Sequence, residues 1–416
     1  MIGVRCCRWL ISLSPFWMVF PFLLPVVQGT EPKTVEIGSS LPYGPAPINY
    51  FSELDDNFIQ RLQTRLDNRE LQFKPQAGTG YLLDLLHALA VPIESQTLVF
   101  SKTSVNQALI KPATPRAIYF NDEITVGWVP AAAAIEITFQ DAIKGTVFYT
   151  LPQPVNLAEN DAGADSNAPD ASTIRFRRDG RCIACHVSSR TLNVPGHILS
   201  SFLTDSKGQP REGYSSINHS TDFRQRWGGW YVTGRAPNLI HWGNLIGEDD
   251  VQRHKQDPGF RGIVEDLSSL VDLSQYPSHH SDAVALLVLN HQMHFYNLVN
   301  RVSFEHRLNR RSNAEELLVR YALMQDQAAL AGPVSGSTRY AELFQAAGTD
   351  ASDRALRELD LKDRLFVNDL SPFILSSSFQ SLPAEVKSRL YERLNSELVK
   401  RADPLAQRVL KAITAK

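Results

Sequence analysis

The run Arg181-Cys182-Ile183-Ala184-Cys185-His186 places two thiols three residues apart and an imidazole directly after the second. Cys-x-x-Cys-His is the attachment pattern of a c-type haem. Each thiol adds across one haem vinyl group and becomes a thioether. Two intervening residues let both sulfurs reach one porphyrin edge from a single turn of chain. The next residue then lies under the iron, so His186 is expected to be the proximal ligand. The expectation is one covalent haem c, held by Cys182, Cys185 and His186. A redox disulfide is the main competitor, but no strand–helix–strand pattern surrounds the pair, and the adjacent histidine would be superfluous.

The remaining cysteines sharpen this reading. Cys6 and Cys7 lie beside Arg5 and Arg8, ahead of an apolar run from Trp9 to Val27 that is broken at Pro15, Pro21 and Pro25. Val27-Gln28-Gly29 fits a cleavage site, so residues 1–29 read as a secretory signal peptide. An uncleaved anchor is the alternative, which the prolines disfavour. Cleavage leaves Cys182 and Cys185 as the cysteines of the mature chain, with no second pair to complete a zinc site. Exported chains usually avoid cysteine or pair it in disulfides. The net charge of -2 becomes -4 when Arg5 and Arg8 leave, since Lys+Arg falls from 42 to 40 against 44 acids. Nothing in that balance points to nucleic acid. No other segment is apolar and long enough to span a membrane, so the expected location is the periplasm or beyond.

The elements that must position the motif read as follows. An amphipathic helix is expected over 52–72, where Leu54, Phe58, Leu62 and Leu66 repeat every fourth residue and Ser52 with Asp55 resembles a capping box. A second apolar helical stretch covers 80–89. Four short strands, 117–120, 124–129, 135–139 and 146–151, are rich in β-branched and aromatic residues and suggest a small antiparallel sheet. Residues 156–173 have the composition of a mobile loop. A loop-rich region with the haem motif follows to about Gly247, and 248–259 reads as a polar connection. Helices are then expected over 281–301 and 315–330, and after Pro383, where Val386, Leu390, Leu394 and Leu398 form a stripe. The fold class is mixed α+β: a small antiparallel sheet with flanking helices, a haem-bearing loop-rich region and a C-terminal helical bundle. The divisions are 1–29 signal peptide, 30–98 helical, 99–155 β, 156–173 loop, 174–247 haem-binding and 260–416 helical.

Several further segments carry a resemblance. These are Ser101-Lys102-Thr103-Ser104, Pro115-Arg116-Ala117-Ile118-Tyr119-Phe120-Asn121-Asp122, Val126-Gly127-Trp128-Val129, Arg226-Trp227-Gly228-Gly229-Trp230-Tyr231-Val232-Thr233-Gly234 and His241-Trp242-Gly243-Asn244. Over roughly 99–301 the chain resembles a group of long bacterial exported proteins described as cytochrome c domain proteins. The resemblance implies haem but no particular reaction. Family members often carry a histidine directly after Thr-Gly; Arg235 stands there, so no role of that histidine carries over.

Covering a haem takes aromatic side chains and donors for its two carboxylates. Trp227, Trp230, Tyr231, Arg235 and Trp242 offer these, or form an ordinary aromatic core. For the sixth iron position His197, His219, His241, His291 and His294 are candidates, and Met293 is the outsider. His241 is the first choice, because it sits in a Gly- and Trp-rich loop that the resemblance includes. Two functions follow. One is electron transfer in the periplasm with an unidentified redox partner protein. The other is a haem enzyme or sensor with an open or displaceable sixth position.

Overall fold

A computed structural model describes residues 32–53, 57–104, 106–154 and 174–414. The expected signal peptide and the whole of the expected mobile loop lie outside the described residues. Lys33–Lys416 forms one unit, and its fold is mixed α+β, as expected.

A six-stranded antiparallel sheet organises the site. Its strands, in spatial as in chain order, are β2 (Thr97–Val99), β3 (Arg116–Phe120), β4 (Ile124–Trp128), β5 (Ala134–Asp141), β6 (Gly145–Pro152) and β7 (Arg177–Arg178). A short β1 (Lys33–Thr34) pairs elsewhere, with Arg310–Arg311. Four of the six strands are those expected from sequence. β2 and β7 escape notice because three and two residues are too few to show alternation.

Side chains alternate across a strand, and residues opposite each other in a ladder share a face. One face carries Tyr119, Val126, Ile137, Tyr149 and Leu151. It is buried against α1 (Phe58–Asp67) and α2 (Leu82–Ala88) through Ile59, Leu62, Leu66, Leu82 and Leu85. α1 starts later than expected: Asn57 is its N-cap, in a capping box with Gln60. Ser52 is occupied otherwise, its carbonyl and hydroxyl accepting from Lys144 Nζ.

The other face is less apolar. At one end Val99, Ile118 and Phe120 join a core built around α5 (Ala283–Arg307). At the other end Phe148 packs with Ile183 and Val194, beneath the motif. Between them lie Gly127, Glu136 and Thr138.

The motif forms α3 (Ile183–His186), a single turn. A hairpin of β8 (Ser201–Thr204) and β9 (Pro210–Tyr214) follows it. The segment expected to be a polar connection is instead the helix α4 (Gly247–Gln256). Glu248, Asp249 and Asp250 in its first turn and Arg253, His254 and Lys255 in its last complement the helix dipole. α5 is capped by Asp282, which accepts from Val284 N and Ala285 N. α6 (Ala314–Ala322) ends earlier than expected, and Met324 beyond it has φ 52°. Val386, Leu390, Leu394 and Leu398 line the buried side of a helix at Ala384–Lys400. No described helix is long and apolar enough to cross a membrane.

One polar row on α5 ties this scaffold to the motif. Arg301, fully buried, pairs with Glu305 at 2.6 Å. It also donates to the carbonyls of Glu36, Ser39 and Leu192. Removing one member of a buried pair leaves the other charge uncompensated, typically at a cost of about 3–5 kcal/mol. Arg301→Met should therefore lower unfolding stability by that amount in urea titrations, with Glu305 stranded; a loss below about 1 kcal/mol would show that the pair does not hold the fold.

Candidate functional site

Cys182 ends a short 3-10 turn and Cys185 lies in α3, both as free thiols. Ile183 between them is buried and anchors the turn under Phe148. The His186 ring packs on Phe148 at 4.6 Å between centroids. Its Nδ1 lies 2.8 Å from the Gly196 carbonyl oxygen. A carbonyl only accepts, so Nδ1 carries the proton and the lone pair sits on Nε2. That is the tautomer a metal-bound imidazole needs. Burial pulls the His186 pKa down, which keeps the ring neutral.

The Gly196 carbonyl is held from α5. Asn297 bonds both sides of the next residue, Oδ1 accepting from His197 N and Nδ2 donating to His197 O, each at 2.8 Å. A side chain at Gly196 would overlap Asn297, which explains the glycine. Asn300 Nδ2 donates to Pro195 O at 3.1 Å. Arg301 holds Leu192, as above. Three side chains spaced i, i+3 and i+4 on one helix thus fix the loop that orients His186.

The Cys182 thiol is not activated for disulfide exchange. Burial, then Asp179 and Glu136 nearby, pushes the Cys182 thiol up to about 12. A redox pair of this spacing depends on a lowered thiol pKa. The raised Cys182 pKa disfavours that competitor.

The candidates for the sixth position are scattered. His197 lies beside the motif, but its Nε2 accepts from Gln140 Nε2 at 2.6 Å and its backbone serves the Gly196 loop. His219 and His291 bond each other, Nδ1 to Nδ1, at 2.8 Å. Both stack with Tyr321, and His294 meets the same ring edge-on. Met293 is buried in the α5 core. His241 is 1% exposed, packs against Trp227 and accepts from Gly243 N. Its Nε2 has no partner among the described residues. Its neighbours are not those of His186. The Trp230–Thr233 segment, bonded to Asn244, runs along the outer edge of β2, where Tyr231 N donates to Leu98 O. His186 packs on β6, four strands from β2. At about 4.8 Å per strand that separation is on the order of 20 Å. The fold does not bring His241 to His186.

The aromatic segment is likewise part of the scaffold. Trp227, Trp230 and Tyr231 are buried in the main cores. Arg235 pairs with Glu265, and Trp242 stacks on Tyr214. Phe148 and Gly196, which touch His186, were not singled out by sequence, nor was Glu136, which acts electrostatically on Cys182. The alternation along β5 and β6 marks which of these share a face, but nothing in it says that the motif covers that face.

Five of the scattered histidines have a consequence for stability. Burial depresses His197, His241 and His291 to about 3, His294 to about 4, and His219 well below its usual value. Below pH about 6.5 the unfolded chain takes up protons that the folded one refuses. Each such histidine then removes up to about 1.4 kcal/mol per pH unit as acid is added, down to its folded pKa. Denaturant midpoints should fall steeply from pH 7 to pH 5; a flat profile would contradict the burial of these rings as neutral groups. Comparison of the chain with family models, with curated proteins and with solved structures gives no match.

Proposed function

We propose that the chain is an exported single-haem c-type cytochrome that passes single electrons to and from a partner protein. The observation that carries this is the His186 Nδ1 bond to the Gly196 carbonyl, which leaves Nε2 as a basic lone pair directly after the Cys182–Cys185 pair. Cys182 and Cys185 would hold the haem and His186 would be its proximal ligand. The haem would supply a one-electron iron couple. The residues do the rest. Ile183 and Phe148 exclude water from the buried side of the turn, and Asn297 keeps the imidazole in one tautomer. Cys185 is exposed, so a group bonded to it reaches the surface where a partner can dock.

A second reading, a small-ligand sensor or haem enzyme, is favoured by the distance between His241 and His186. Carbon monoxide separates the two. Slow or absent binding to the reduced protein supports electron transfer with a closed sixth position. Fast binding to the wild type, unchanged in His241→Ala, supports the open site. In both cases His186→Ala should retain covalent haem with an altered spectrum, whereas Cys182→Ala with Cys185→Ala should retain none. Retention of haem by that double variant would overturn the proposal.

A further inference from the structure

Three stretches that lie apart in sequence, at Ser104, Arg116 and Gly127, meet at one point of the sheet. Glu136, on β5, accepts from Ser104 Oγ and Asn106 Nδ2, each at 2.9 Å. It also pairs with the Arg116 guanidinium from β3. Between those strands, directly opposite Glu136, stands Gly127 of β4. Any side chain there would collide with the guanidinium, so the glycine is the bed on which Arg116 lies. The Arg116 pair is only about one-fifth exposed. Arg116 Nε is buried with no partner among the described residues, and so is Thr138 Oγ1, the next residue along the same face. A buried guanidinium nitrogen left unsatisfied costs free energy unless something accepts from it.

The position of this knot is telling. Thr138 is paired with Phe148, the ring on which His186 packs. Glu136 is two residues from Thr138, about 7 Å along the strand. Glu136 also acts electrostatically on Cys182, and both partners act on His186. A fixed cation therefore faces the motif, braced by three side chains and with donor capacity to spare. Arg presents a planar fork suited to carboxylates.

We propose that Arg116, positioned by Glu136 and bedded on Gly127, is the cation that binds a haem carboxylate. This rests on the haem reading of the motif and adds to it the residue that neutralises the bound group. Its electrostatic consequence is measurable. A cation near the iron stabilises the reduced form, which carries one less positive charge, and an anion does the opposite.

The experiment is a spectroelectrochemical titration of the exported protein at fixed pH. Arg116→Gln should shift the reduction equilibrium about tenfold toward the oxidised state, about 59 mV lower for one electron. Glu136→Gln should shift it in the opposite direction. Gly127→Ala, which lifts the guanidinium off its bed with its charge intact, should lower the potential by less than Arg116→Gln. Arg224→Gln is the control: that side chain is 72% exposed and screened by solvent, and its removal should change little. Opposite shifts for Arg116→Gln and Glu136→Gln could not come from a common loss of folding. Covalent haem whose potential is unmoved by Arg116→Gln and Gly127→Ala would overturn this proposal and leave the haem reading intact. A wild-type protein without covalent haem would instead overturn the haem reading.

Discussion

A backbone carbonyl accepts hydrogen bonds and cannot donate them, so the contact between His186 Nδ1 and the Gly196 oxygen decides where the imidazole proton sits. The rest of the site is arranged to keep that carbonyl in place. Asn297, Asn300 and Arg301 project from one side of α5 and bond residues 192–197. The same helix is buried over nearly its whole length in the largest core. The proton on His186 is thus tied, through a few hydrogen bonds, to the longest helix among the described residues. Fixed tautomers of this kind raise the basicity of the opposite nitrogen.

A size argument goes with this. α3 has one turn, too short to persist by itself because helix nucleation is unfavourable. Ile183 and the ring of His186 instead lean on Phe148, and β6 carries Phe148 into the sheet. The sheet is held flat against α1 and α2 by its apolar face. Its opposite face is divided between the α5 core and the polar stretch with Arg116 and Glu136.

Parts of this were legible in the sequence and parts were not. The motif is read from adjacency alone, and the four longer strands from their β-branched and aromatic content. The stripe Val386, Leu390, Leu394 and Leu398 is buried as its spacing implies. The N-cap at Asn57 was missed because Ser52 offers an equally good local pattern, and only the tertiary bonds of Lys144 show that Ser52 is engaged. α4 was missed because it has hardly any apolar face; its charges at the two ends are the cue. Buried polar residues are the hardest class. Asn297, Asn300 and Arg301 look like any amphipathic helix surface until the loop they bind is known. The Trp-rich segment reads equally as haem cover or core; Trp227 and Trp230 lie in the core, whereas Trp242 stacks on the exposed Tyr214, since aromatic content by itself does not say what the rings face.

The central claim is chemical, and the mass of the intact exported protein tests it most directly. After cleavage near Gly29 the account predicts a chain heavier by one haem, with neither Cys182 nor Cys185 able to react with a thiol reagent after denaturation. A chain of unmodified mass with two titratable thiols, or one lighter by two hydrogens for a Cys182–Cys185 disulfide, would contradict it.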